Sequence, residues 1–177
     1  MKGEHDPFVE MSGLQEGDSF LDCTLGYGSD SIIASLVVGE QGKVIGIESS
    51  TILAYIVKEG LQSWDSQNTA INAAMRRVEV RNGHHLELLK SMQDHSVDVV
   101  YFDPMFEESI AESNALQAMA YHCNHETITL ETIEEARRVA RKKIVLKDHF
   151  RSERFQLLGF EQQIRKTAKF HFGVIDV

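Results

Sequence analysis

Residues Phe20 to Asp30 read FLDCTLGYGSD, and residues Val99 to Phe106 read VVYFDPMF. Each is a short hydrophobic run that ends in residues suited to a loop. Gly26 and Gly28 can take positive φ and let another group approach the backbone closely. Asp103 and Pro104 close Val97–Phe102, the most hydrophobic strand candidate, and its apolar stretch Val99–Phe102 reads as part of a central parallel strand. Outward from these two stretches, Ser19–Thr24, Lys43–Glu48, Arg77–Arg81 and Lys143–Lys147 also read as strands. Ser29–Val38, most of Thr51–Met75, His85–Met92 and Thr129–Ala140 read as helices, the last with Thr129 as N-cap and Glu131, Glu134 and Glu135 near its positive end. Phe160–Lys166 and Lys169–Val177 read as strands with only Thr167–Ala168 between them, an antiparallel hairpin. Strands alternating with helices predict an α/β sheet, here in one domain over residues 1–177.

The spacing Asp22-x-Thr24-x-Gly26-x-Gly28 puts a glycine loop between a strand and a helix N-terminus, whose free N–H groups suit a nucleotide-like cofactor. Twenty residues after Gly28, Glu48 ends the second strand, where a carboxylate can accept both hydroxyls of a ribose. Gly26-x-Gly28-x-x-Ser31 is close to the dinucleotide fingerprint, but its third glycine is absent. The acid at Asp22 instead resembles the first motif of methyltransferases that use S-adenosylmethionine (SAM). A nicotinamide-dependent oxidoreductase therefore stands beside a methyltransferase, and a turn without a ligand is the structural alternative. Trp64 is expected to face either the core or the cofactor pocket, and Cys23 reads as a small core residue.

Asp103-Pro104-Met105-Phe106 resembles the Asp/Asn-Pro-Pro-aromatic motif of amino-directed methyltransferases. An exocyclic base amine is a poor nucleophile because its lone pair is delocalised into the ring. Hydrogen bonds from it to the Asp103 carboxylate and the Pro104 carbonyl can localise that pair, and proline holds the acceptor rigid. Phe106 can stack on a base for roughly 1–3 kcal/mol. The structural alternative is that Asp-Pro only terminates a strand.

Taken together, these motifs resemble the RsmJ-like methyltransferases, which methylate guanine N2 in bacterial small-subunit ribosomal RNA. The resemblance covers about Ser19 to Phe106. It implies a Rossmann-like class I methyltransferase fold, a mostly parallel seven-stranded sheet ending in the antiparallel hairpin. By motif position it implies SAM contacts from Asp22, Thr24, Gly26, Gly28, Ser29 and Asp30, ribose contacts from Glu48 and Ser49, and adenine contacts from His84 and His85. Asp103 falls where cofactor and target meet, with Pro104 and Phe106 beside it. The sequence departs from that family's pattern at Ser29, Ser49, His84–His85 and Glu107. The partner implied is ribosomal RNA. A small-metabolite methyltransferase and a non-catalytic nucleotide-binding module are the other readings.

The formal net charge is −9, yet from Arg137 onward eleven Lys/Arg face four Asp/Glu. Arg137, Arg138, Arg141, Lys142 and Lys143 are the expected basic face for phosphates, the alternative being cations that complement a helix C-terminus. Glu107 to His125 is long for a strand-to-helix connection and is expected to be a lid or recognition loop. His122, Cys123 and His125 lack a recognisable fourth metal ligand, so no metal is expected. Two cysteines, no apolar run near the ~18 residues of a membrane span, and a start (MKGEHDPF) without an apolar signal region predict a reduced, cytoplasmic protein.

Overall fold

The computed structural model describes residues 6–104 and 128–177. Seven strands form one sheet: β1 (Ser19–Asp22), β2 (Lys43–Glu48), β3 (Val78–Asn82), β4 (Val97–Phe102), β5 (Ala140–His149), β6 (Glu161–Gln163) and β7 (Phe170–Asp176). Their order is β3-β2-β1-β4-β5-β7-β6. β1 to β5 are mutually parallel, and β7 runs antiparallel to both β5 and β6. This is the seven-stranded sheet with an antiparallel C-terminal hairpin that the sequence implies.

Helices cover both faces, as a parallel sheet buried on both sides requires. α1 (Pro7–Ser12), α2 (Ser29–Val38), α3 (Thr51–Ser63) and α4 (Thr69–Arg77) supply one layer; α5 (His85–Ser91), α6 (Leu130–Val139) and α7 (Arg154–Leu157) supply the other. Successive strand side chains alternate between the two cores. Phe20, Val99, Tyr101 and Val145 pack with Phe8, Ala34 and Val57 on the first side. Leu21, Val100, Phe102 and Ile144 pack with Leu89, Ile133 and Phe155 on the second. β4 is almost wholly buried, which accounts for its apolar sequence, and its one polar residue, Asp98, sits at its amino end where it meets Arg141 and Lys142.

Four expectations change. The long helical stretch breaks at residues 64–68, where Asp65, Ser66 and Asn68 hydrogen-bond to nearby backbone and compete with the helix. Trp64 is the C-cap of α3 and is 65% exposed, so it faces neither core nor pocket. β5 is ten residues long because it pairs on both sides, with β4 and β7. β6 is only three residues long, and residues 164–169 connect it to β7 in place of a two-residue turn. Among the described residues no helix is long and apolar enough to cross a membrane.

The glycine loop is fastened to β2 by packing as well as by hydrogen bonds. Leu25 donates its N–H to the Ile47 carbonyl at 2.9 Å and lies over Gly46, where an added Cβ would stand 2.4 Å from Leu25 Cδ1. Gly46→Ala should therefore destabilise the fold by about 1–3 kcal/mol through overpacking, read from its denaturation midpoint in urea. An unchanged midpoint would show that Leu25 repacks freely.

Candidate cofactor and active site

β1 ends on Asp22, whose buried carboxylate closes the loop that follows. Its Oδ1 accepts the Thr24 N–H at 3.0 Å and its Oδ2 accepts the Ser31 hydroxyl at 2.7 Å. Burial pushes the Asp22 carboxyl up to about 7, against the pull of both hydrogen bonds. Gly26 and Gly28 sit at φ of 50° and 76°, a conformation that a side chain would strain. Gly28 is the N-cap of α2, so the first-turn N–H groups, Ser29 and Asp30 among them, point towards the sheet's edge with no side-chain cap among the described residues.

Glu48 ends β2 and is 8% exposed. Its Oε2 accepts the Gly26 N–H at 3.1 Å and its Oε1 accepts the Ser50 N–H at 2.9 Å. One carboxylate thus joins the glycine loop to the start of α3. Half-buried Ser49 lies beside it, its carbonyl held by Asn82 Nδ2 at 3.1 Å. After β3, His84 caps α5 by accepting the Leu86 N–H on Nδ1 at 3.1 Å. His85 is buried, with its ring edge-on to Phe102 at 5.9 Å. Burial, reinforced by His84, pushes its imidazole down to about 4, so it is neutral at pH 7.

Asp103 leaves β4 beside the glycine loop, its N–H donating to Thr24 Oγ1 at 2.6 Å. Lys147 Nζ, from the neighbouring β5, donates to Asp103 Oδ2 at 2.7 Å and to Asp30 Oδ2 at 3.0 Å. The Tyr101 hydroxyl also donates to Asp30 Oδ2, at 2.6 Å. Asp103 Oδ1 is buried and has no hydrogen-bond partner among the described residues. Burial pushes the Asp103 carboxyl up to about 6 despite Lys147. Lys147 itself is held charged: burial acts to lower its pKa, but Asp103 and Asp30 together outweigh that and raise it.

Asp22, Thr24, Gly26, Glu48, Asp30 and Asp103 therefore meet at the C-terminal edge of the parallel strands. Pro104 is buried beside them. Ser31, Tyr101 and Lys147 join them without having been singled out from the sequence. Lys147 carried a signal, as a lone cation ending the apolar run Ile144–Leu146. Phe106, the loop Glu107 to His125, and with it His122, Cys123 and His125, lie outside the described residues. Among the described residues no cluster of His, Cys, Asp or Glu could hold a metal ion.

The expected basic face is corrected. Arg137 and Arg138 end α6, and Arg141, Lys142 and Lys143 begin β5, so all five lie at the opposite end of the sheet from Asp103. Most are engaged there: Arg138 pairs with Asp94 and Glu135, Lys142 with Asp18 and Asp98, and Arg141 with Asp98. A strand that begins on cations and ends at the site separates the two by its full length.

Residues 1–171 match the family described as "Putative SAM-dependent methyltransferase". The chain belongs to that family. It is 49% identical over 175 residues to the uncharacterized protein YpiP of Bacillus subtilis, covering 99% of this chain and 68% of that protein. It is 29% identical over 106 residues to ribosomal RNA small subunit methyltransferase J of Alteromonas mediterranea, covering 59% of this chain and 39% of that protein. The fold is similar to that of a SAM-dependent methyltransferase from Aquifex aeolicus, with a TM-score of 0.63, 21% identity, and coverage of 96% of this chain and 87% of that one. The chain is thus a SAM-dependent methyltransferase with SAM as its cofactor. The donor set fits that cofactor: carboxylates for a sulfonium, an ammonium and a ribose diol, and a loop with glycines at positive φ.

A folded-state pKa raised above the usual carboxylate value means that the fold prefers the protonated acid. The stability gained from that preference is present below pH 4 and is lost as pH rises through about 6 for Asp103. Asp103→Asn should flatten the fall in unfolding free energy between pH 4 and 6, measured by urea titration at several pH values. A variant with the wild-type slope would place the titration elsewhere.

Proposed function

We propose that this methyltransferase acts on an exocyclic amino group, guanine N2 in ribosomal RNA, as one cytoplasmic domain. The observation that carries the amino-group reading is the buried Oδ1 of Asp103 beside Pro104, which has no hydrogen-bond partner among the described residues. SAM, when bound, supplies an electrophilic methyl on a sulfonium. Asp22, Thr24, Gly26, Gly28, Ser29 and Asp30 would line its amino-acid side, Glu48 and Ser49 its ribose, and His84 and His85 its adenine. Asp103 Oδ1 accepts one N–H of the target amine and the Pro104 carbonyl accepts the other, which localises the lone pair and aims it at the methyl. Phe106 stacks on the base. Lys147 keeps Asp103 ionised and fixed in orientation, so that orientation and preorganised charge supply the rate. The likeness to the ribosomal RNA methyltransferase of Alteromonas mediterranea supports RNA as the substrate. The test is incubation with labelled SAM and unmodified small-subunit ribosomal RNA, followed by digestion and identification of the methylated nucleoside.

A small metabolite is the second reading, favoured by the net charge of −9 and by the remoteness of the Arg137–Lys143 cations. Labelled methyl appearing on a small molecule from a cell extract, with none on RNA, would decide for it.

Glu48→Ala should weaken SAM binding by about 1–3 kcal/mol, the range for losing hydrogen bonds to a charged group, as measured by calorimetry. Unchanged affinity would remove Glu48 from the cofactor site.

Asp103→Ala should abolish most methyl transfer while keeping a cooperative melt. In the wild type, single-turnover rates should fall as pH drops through about 6, where Asp103 takes up a proton. Lys147→Met removes the cation that favours the carboxylate, so the inflection should move to higher pH. A pH profile that ignores Lys147→Met would refute this role for the pair.

A further inference from the structure

The chain carries a second set of cations, and these stand at the same edge of the sheet as Asp103. β5 passes Lys147, which touches Asp103, and ends at His149; Phe150 and Arg151 follow. At ~3.3 Å per strand residue, Phe150 lies about 10 Å along the chain from Lys147. β7 runs antiparallel, with Phe170 opposite His149, so residues 164–169 bring Arg165, Lys166 and Lys169 to that same end. Residues 149–171 hold five Lys/Arg against two Glu, in a chain of net charge −9. Arg154 is committed to buried Asp148. Arg151, Arg165, Lys166 and Lys169 are exposed and make no ion pair among the described residues. Glu153 and Glu161 are the acids of this segment, and Glu161 lies at the far end of β6 from the turn.

This surface is built. Gln162 Nε2 donates to the Phe150 carbonyl at 3.0 Å and to His171 Nδ1 at 2.9 Å. The other ring nitrogen, His171 Nε2, lies 3.1 Å from the Arg165 carbonyl oxygen. The Phe150 N–H donates to the Lys169 carbonyl at 3.0 Å. The segment after β5 and the turn before β7 are therefore cross-linked into one plate. On it, the Phe150 ring is 39% exposed, 4.6 Å from the His149 ring, with the Arg151 guanidinium 5.0 Å from its centroid. An exposed aromatic with a stacked guanidinium among unpaired cations combines the two elements that hold unpaired nucleotides: a π-face for bases and a field for phosphates.

We propose that Phe150, Arg151, Arg165, Lys166 and Lys169 form the surface that grips single-stranded RNA next to the methyl-transfer site. The proposal rests on the reading of RNA as substrate and deepens it. The plate holds nucleotides flanking the target, whose base must be unstacked before its amine can reach Asp103.

The test uses the full chain, a short unstructured RNA and its duplex, with fluorescence anisotropy over a range of salt. Wild type should bind the single strand more tightly than the duplex. Replacing Arg165, Lys166 and Lys169 with Gln together should flatten the slope of log affinity against log salt by about 2, near 0.7 for each lost phosphate contact. Phe150→Ala should weaken binding roughly tenfold. SAM affinity, measured by calorimetry, should stay at wild type in both variants, which verifies folding. Arg137→Gln with Lys143→Gln, at the opposite end, should leave RNA binding unchanged. If wild type binds and methylates RNA while the triple variant keeps its affinity and slope, this surface is wrong and the RNA reading stands. If wild type neither binds nor methylates RNA, both fall.

Discussion

The ammonium of Lys147, within 3.0 Å of both Asp30 and Asp103, is the interaction on which the acidic edge of the sheet depends. Asp22, Asp30 and Asp103 crowd together there, and Asp30 adds to the cost of ionising both Asp22 and Asp103. Burial is the main reason that the Asp22 and Asp103 carboxyls stay above the usual range, and Lys147 offsets it only in part at Asp103. The same ammonium ties α2 to the loop after β4, and the Tyr101 hydroxyl braces Asp30 from beneath. An edge with such an excess of negative charge is matched to a cationic cofactor.

Topology places that cluster. The strand order runs outward in opposite directions from β1 and β4, and ligands of open α/β sheets sit outside the carboxyl ends of strands at such a reversal. Asp22 ends β1 and Asp103 follows β4, and the hydrogen bond from the Asp103 N–H to Thr24 Oγ1 spans the crevice between them. Glu48 extends the site along β2, fastening the glycine loop with one oxygen and α3 with the other. The ends of the sheet divide the charges differently. At the amino ends of the strands, Asp18 and Asp98 absorb Arg141 and Lys142. At the carboxyl ends, Arg151, Arg165, Lys166 and Lys169 are left unpaired among the described residues.

The sequence by itself determined the α/β alternation, the five strands that run parallel and the glycines and acids at their ends, while the resemblance to a methyltransferase family implied that Asp22, Gly26, Gly28, Glu48 and Asp103 share one site. Those follow from local rules: apolar runs that need two buried faces, glycines where φ is positive, and acids placed at strand ends. It missed the break at Trp64, because the side chains of Asp65, Ser66 and Asn68 capture backbone groups that propensity assigns to a helix. Only the tertiary structure decided which cations face the site. Arg137 to Lys143 form the densest basic run, but a strand's direction sends its first residues to one edge and its last to the other. Lys147 and Asp103 stand 44 positions apart in the chain, and their contact follows from the pairing of β4 with β5. The antiparallel return of β7 likewise brings Lys169 back over Phe150. Charge can be counted along a chain, but where it is felt depends on non-local strand pairing, which no local pattern encodes.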